Sequence, residues 1–266
     1  MRRFGSVLMA GAVAIFATAC FDIEQDINLK KDMSGTASFK LGIDMEPMIL
    51  IMAQIQHDME GKKGPVSKEE LAKAKADFKK QQTTKKTSEK PEDPKKEVEK
   101  GLPPGVKLLD AQVTEQEFGV TTKFLFGFDK LSHLVGVKLS SKDKKEEGGD
   151  PTKKSVIDSP FEGLEVVETP TTLTVRTKPN NPTETVKEEA KEQSPKMDPD
   201  TEKMMHDAFK KLRIAYKITA PFDVVSTNAT RREGQTLIWE YDLDRMEKMS
   251  KAKNPQDFDV KVTYKK

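Results

Sequence analysis

Few side chains in this 266-residue sequence can do chemistry, and their spacing narrows them further. Cys20 is the only cysteine, so it has no partner for a disulfide, a redox couple or a thiolate metal site. The histidines His57, His133 and His206 each fall in a separate expected helix, with no second His or Cys at metal-ligand spacing. His57 adjoins Asp58, a pairing that suits a surface or helix-end cap better than catalysis or ligation. Met45, Met48, Met52 and Met59 offer thioethers, which suit Cu(I). Ile49, Leu50, Ile51 and Ile55 stand among them, so flexible core filling or an adaptable apolar groove fits better. No Gly-rich phosphate loop follows a strand, and no Gly-x-Ser-x-Gly elbow occurs. Most carboxylates lie in charged stretches with no expected cleft to tune them. The expectation is a non-enzyme, with no catalytic residue, no metal and no cofactor.

The setting of Cys20 is more specific than its thiol. Arg2 and Arg3 precede an apolar stretch from Phe4 to Phe16, and then come Ala17, Thr18, Ala19 and Cys20. Positive, apolar, then small residues is the order of a secretory signal. The apolar run is too short to span a bilayer, which takes about 20 residues. With Ala17, Thr18 and Ala19 before Cys20, the segment resembles a bacterial lipoprotein signal, or lipobox, although Ala17 stands where Leu is more usual. The resemblance implies removal of residues 1–19 and acylation of Cys20, placing the protein outside the cytoplasm on a lipid anchor. Phe21 rather than Asp follows the cysteine, with Asp22 one position late. In a Gram-negative host that resembles sorting to the outer membrane, facing the periplasm.

Loss of residues 1–19 takes two arginines and leaves 44 Lys+Arg against 44 Asp+Glu. A neutral chain gives no electrostatic case for nucleic acid. With 35% hydrophobic and 34% charged residues, part of the chain is expected to lie outside any core. Lys79–Lys100 has Val98 as its only apolar residue, Ser140–Ser155 has none, and Thr177–Pro199 has four prolines. These three stretches, 79–100, 140–155 and 177–199, are expected to be mobile charged insertions in a single domain spanning 20–266. Ordering a residue costs about 1–2 kcal/mol of backbone entropy, which such segments cannot offset by burial.

Elsewhere alternation is clean. Ile23, Gln25, Ile27 and Leu29 share one strand face, a turn follows at Asp32-Met33-Ser34-Gly35, and Ala37, Phe39, Leu41 and Ile43 share the face of a return strand. Glycine at Gly35 suits a positive φ there. The period then becomes helical, with Met48, Ile51, Met52, Ile55 and Met59 recurring, Asp44 as the N-cap and Pro47 in the first turn. Phe118 to Phe128 alternates before Asp129, Leu131 and Leu134, and Leu237 to Leu243 before Asp244, Met246 and Met249. Phe124 and Trp239, Phe126 and Tyr241, and Asp129 and Asp244 match at one offset of 115 residues. A looser copy runs from a hairpin at Leu164–Thr177 to a helix bearing Met205, Ala208, Phe209 and Leu212, and Phe258 to Tyr264 forms a last strand. The expected fold is α+β: an antiparallel sheet of repeated β-hairpin–helix units, its apolar face covered by the helices. Asn228-Ala229-Thr230 is formally a glycosylation sequon, read in this setting as a strand-to-turn segment.

Met48, Ile49, Leu50, Ile51, Met52 and Ile55 make the first helix apolar on nearly every side. Three readings fit: deep burial, the wall of a cavity for an acyl chain, or a face resting on the membrane near the anchor.

Two stretches together are similar to the LppM-type lipoproteins. One is Cys20 with the alternating strand, Asp32-Met33-Ser34-Gly35 and the return strand. The other is Ala220-Pro221-Phe222-Asp223-Val224-Val225-Ser226-Thr227-Asn228, then Gly234 and Leu237-Ile238-Trp239. The resemblance implies a membrane-anchored extracytoplasmic α+β domain with no established enzymatic activity, and no catalytic residues to carry over. The expected role is binding or structural in the cell envelope, through the membrane at acylated Cys20 and an envelope protein or lipid. The alternative is an envelope hydrolase whose site is scattered in sequence.

Overall fold

A computed structural model describes residues 20–86, 94–139, 159–178, 203, 206, 207 and 210–266. Strand β1 (Cys20–Leu29) buries Ile23, Gln25, Ile27 and Leu29, while Glu24 and Asp26 stay partly open on the other face. It pairs antiparallel with β2 (Gly35–Asp44), from Cys20 opposite Asp44 to Leu29 opposite Gly35. The hairpin turn differs from expectation. The positive φ falls at Met33 (67°), and Gly35 is instead the first residue of β2. A Cβ at Gly35 would lie 2.0 Å from the Asn28 carbonyl oxygen, so close strand approach is what requires glycine there.

Helix α1 (Glu46–Met59) follows at once. Met45 is its N-cap and uses no side chain; Asp44 sits one residue earlier, where its Oδ1 accepts the Glu46 amide at 2.9 Å. Helix α2 (Lys68–Lys86) packs on α1, and a short α3 (Pro94–Lys100) runs beside β3 (Val106–Gln116). Both ends of the stretch 79–100 are therefore helical, contrary to an unfolded insertion, while 87–93 lies outside the described residues. Val98 explains the second helix: it is 1% exposed and joins the core. The α2 start carries a signal absent from the composition argument. In Ser67-x-x-Glu70, the Glu70 amide donates to Ser67 Oγ at 3.2 Å and the Ser67 amide to Glu70 Oε2 at 3.0 Å, a reciprocal capping box.

Strands β3 and β4 (Gly119–Phe128) form a second hairpin, followed by a short 3-10 turn over Leu131–Gly136 that buries Leu131 and Leu134. Lys130, not Asp129, is the N-cap of that turn. The hairpin of β5 (Glu165–Glu168) and β6 (Thr172–Thr177) turns through Thr169-Pro170, where Thr169 Oγ1 accepts the Thr172 amide at 2.9 Å. Then come β7 (Arg213–Thr219), β8 (Asp223–Thr227), β9 (Arg231–Glu233), β10 (Thr236–Tyr241), α4 (Leu243–Lys251), a 3-10 turn over Pro255–Phe258 and β11 (Val260–Lys265). Asp242, two residues before Asp244, caps α4 by accepting the Arg245 amide at 2.8 Å.

Seven strands make one sheet in the order β3-β4-β2-β1-β7-β10-β9, and four make another in the order β5-β6-β11-β8. Every pairing is antiparallel except β1 with β7. The fold is thus mixed α+β with a large, mostly antiparallel sheet. The cover of its apolar face differs from expectation. Leu173, Val175, Val260, Val262 and Tyr264 of the small sheet share one core with Ile23, Phe39, Phe126 and Trp239 of the large one. A second sheet, rather than a layer of helices, closes the core. Alternation in β6 and β11 gives this sheet an apolar face of its own, which a helix cover would leave unburied.

Regular hairpin–helix repetition is not confirmed among the described residues. The first and last units end in α-helices, the second in a 3-10 turn, and the third belongs to the other sheet. In that third unit Met205, Ala208 and Phe209 lie outside the described residues, and Leu212 is buried just before β7. What the 115-residue offset does match is position: β4 and β10 are each second from an edge, with Phe124, Phe126, Trp239 and Tyr241 all buried. Insertion 140–155 lies outside the described residues, as does 177–199 beyond Lys178.

Candidate functional site

Residues 1–19, with Ala17, Thr18 and Ala19, lie outside the described residues. The backbone of Cys20 occupies the first rung of β1, opposite Asp44. That end of the sheet gathers several elements. The Met45 amide donates to the Phe118 carbonyl at 2.7 Å, tying the start of α1 to the β3–β4 turn. Lys75 of α2 donates to Glu46 at 2.8 Å and sits 5.3 Å over the Phe118 ring, while Lys79 pairs with Glu117 at 3.2 Å. Lys211 reaches Asp44 at 3.7 Å.

Helix α1 is divided by face. Met48, Ile49, Ile51 and Ala53 are buried, Leu50 is half-buried, and Met52, Ile55 and Met59 are 43%, 47% and 78% exposed. Of the expected stripe Met48, Ile51, Met52, Ile55 and Met59, the structure covers Met48 and Ile51 and leaves the other three open. Gln54 and His57 explain the rotation. The Gln54 amide donates to the Gly64 carbonyl at 3.0 Å and to Asp58 at 2.8 Å, and accepts the Val66 amide at 2.8 Å. His57, expected at the surface or as a cap, is buried in the last turn with Nδ1 3.1 Å from Glu70 Oε2. Lys62 donates to Glu70 at 2.6 Å, and this with the Ser67 bonds holds the Glu70 carboxyl well below its ordinary range. Two polar residues thus bind the α1–α2 connection and dictate which side of α1 turns inward. Apolar periodicity could not reveal that.

A cavity of about 10 Å³ lies between the sheets, lined by Gln25, Ile27, Tyr216 and Val260 among others and by no residue of α1. That is room for about one water molecule.

A second charged arrangement lies on the face of the large sheet away from the core. Arg213 Nη1 reaches Asp22 at 3.2 Å and Glu24 at 3.3 Å, while Nη2 reaches Glu240 at 3.1 Å. Lys40 pairs with Asp22 at 2.7 Å, Lys217 with Glu24 at 3.0 Å, and Arg231 with Glu240 at 3.2 Å. Burial raises the Asp22 and Glu24 carboxyls, but their cations outweigh it and hold both below the ordinary range. Burial raises Asp26 as well; there Lys217 opposes it, Glu24 reinforces it, and the carboxyl ends above its ordinary value. Asp22 and Glu24, so fully paired, are poor general bases.

His133 also meets a carboxylate: its Nδ1 lies 2.7 Å from Asp129 Oδ1 without a directed hydrogen bond among the described residues. Gly105, at φ 84°, packs against both, where a Cβ would lie 2.4 Å from Nδ1. No group of three or more metal-ligating side chains occurs among the described residues, and no described helix is long and apolar enough to cross a membrane.

No protein-family model and no curated protein matches the sequence. The NMR structure of the Mycobacterium tuberculosis LppM folded domain is similar over 92% of this chain and 88% of that one, at 9% identity and a TM-score of 0.38. The similarity is one of outline, and neither an anchor nor an activity follows from it.

Proposed function

We propose that this chain is an extracytoplasmic lipoprotein of the cell envelope, acylated at Cys20, with a non-catalytic binding or structural role toward an envelope protein or lipid. The observation that carries this reading is the place of Cys20. It stands at the cleavage point of a lipoprotein-like signal and is also the first rung of a central strand. Acyl chains on it would hold the sheet end directly at the bilayer, with no tether between. Each buried CH2 contributes about 0.8 kcal/mol, so two or more chains anchor stably where one is marginal. Phe21 at the next position favours the outer membrane in a two-membrane host.

Growth with an alkyne fatty acid tests the reading. The wild-type chain should take up label and partition with membranes, with an N-terminal peptide that begins at modified Cys20. Cys20→Ser should lose the label and appear in the soluble fraction. An unmodified Cys20 on the exported protein would overturn the anchor.

A further inference from the structure

The outward stripe of α1 has no partner within the described chain, and its position says what covers it. Met52, Ile55 and Met59 recur at i, i+3 and i+7, which places them on one side of the helix. They grow more exposed toward its C-terminus, and Met48 continues the line under cover at its start. Three large apolar side chains in a row form a patch of the kind that marks an interaction surface.

We infer that this stripe lies in the interfacial layer of the bilayer, giving the domain a second membrane contact beside the anchor. The inference rests on acylation of Cys20 as proposed above. Register is the first argument. Cys20 pairs with Asp44, and α1 starts at Glu46, so the helix leaves the sheet at the anchored end. Since Cys20 is itself in the ladder, no linker lifts that end away from the lipid. At 1.5 Å per residue, Met52 lies only about 9 Å along the helix from Glu46 and Met59 about 20 Å. Side-chain chemistry is the second argument. Methionine is flexible and polarizable, and it adapts to disordered acyl chains as readily as to a protein groove. Charge is the third. Lys63 follows the helix, and Lys211, 72% exposed at its side chain, stands beside Asp44 at its start. Cations at both ends of an apolar stripe suit anionic headgroups. Of the acids flanking it, Glu60 is held by Lys62 at 2.7 Å and Asp58 by Gln54.

The acylated full chain carrying Ile55→Cys tests this. Acylation consumes the Cys20 thiol, so an NBD probe attaches at position 55 alone. Lys31→Cys, in the turn at the far end of β1, is the control. Both are reconstituted in phosphatidylethanolamine–phosphatidylglycerol vesicles, and acylation is checked by intact mass on the same sample. The expected result is a blue-shifted, several-fold brighter probe at 55, quenched by spin label at the headgroup level, with the probe at 31 unchanged. An acylated protein whose position 55 stays wet overturns the membrane contact and leaves the anchor standing. If no acyl mass is found, the anchor reading fails. The Cys20→Ser, Ile55→Cys chain added to the same vesicles then decides: a dry probe upholds the contact, a wet one overturns it. A blue shift that appears without vesicles and grows with protein concentration assigns the stripe to a second copy and also overturns the inference. Trp239 emission confirms that each variant is folded.

Discussion

Trp239 Nε1 donates to Asn228 Oδ1 at 2.8 Å, joining the large sheet to the segment that leaves the small one. The same Oδ1 accepts the Lys261 amide at 3.1 Å, and Asn228 Nδ2 donates to the Asp259 carbonyl at 2.6 Å. One amide side chain thus fixes β10 against the start of β11. Asn228→Ala leaves the indole N–H of a fully buried tryptophan without an acceptor, which costs about 2–3 kcal/mol together with the lost backbone bonds. Asn228→Asp keeps the acceptor and loses the donor, so its loss should be smaller. Urea unfolding followed by emission of the lone tryptophan measures both; an alanine variant within about 0.5 kcal/mol of wild type would contradict this role.

Two tyrosines at the sheet interface should respond to the loss of a hydroxyl with opposite signs. Tyr241 donates to the Phe258 carbonyl at 2.5 Å, whereas the buried Tyr264 hydroxyl has no partner among the described residues. Burial also holds the Tyr264 phenol well above its ordinary pKa, so the neutral form persists at working pH. Tyr241→Phe should destabilise by about 1 kcal/mol, while Tyr264→Phe should be neutral or stabilising by a similar amount. Thermal unfolding of the two single variants gives the comparison, and equal losses would show that Tyr264 is satisfied in solution.

At the first hairpin, Gly35→Ala must push β1 from β2 because the new Cβ would meet the Asn28 carbonyl oxygen, and a loss of about 2 kcal/mol or more is expected. Met33→Gly relieves a left-handed backbone worth about 1 kcal/mol but gives up packing against the core, so its net change should stay within about 1 kcal/mol. Differential scanning calorimetry separates them. A costlier Met33→Gly would mean that side-chain packing, not backbone strain, governs the turn.

The two faces of α1 should behave as different kinds of surface in the free domain. Ile49→Ala, at a site 2% exposed, should cost about 2–4 kcal/mol. Ile55→Ala should change stability by no more than about 0.5 kcal/mol. Chemical denaturation without lipid is the measurement, and comparable losses would mean the outward stripe is packed after all.

These sites also mark how far the sequence could be read. Alternation identified β1, β2, β4, β10 and β11, because each has one face in a core and a period of two reports that directly. The second sheet stayed hidden because alternation shows that a face is buried without showing what buries it. Helix α2 was missed for a local reason. Its composition is as charged as a linker, and its evidence is the Ser67–Glu70 box together with one histidine that locks it to α1. For the candidate site, the apolar residues of α1 were legible and their division into two faces was not. That division follows from Gln54 and His57, polar residues whose partners lie at Gly64, Val66 and Glu70.

The ladder around Arg213 sets an acid limit on stability. Asp22, Glu24 and Glu240 all have carboxyls held below their ordinary values by Arg213 and neighbouring cations. A carboxyl depressed in the folded state contributes fully above its unfolded pKa, about 3.9 for Asp and 4.3 for Glu. That contribution is lost as pH falls from there through the folded value. Asp26 runs the other way: raised by burial, it favours the protonated folded state and offsets part of the loss. Urea midpoints should therefore be level from about pH 7 to 5 and drop below about pH 4. Arg213→Gln should cost about 1–2 kcal/mol at pH 7, allowing for solvent screening of a cluster about one third exposed, and should flatten the acid limb. Asp26→Asn should raise the midpoint at pH 7 and leave it unchanged near pH 3, where the native carboxyl is already protonated. An Arg213→Gln variant with the same acid limb as wild type would show that carboxylates elsewhere in the chain set it.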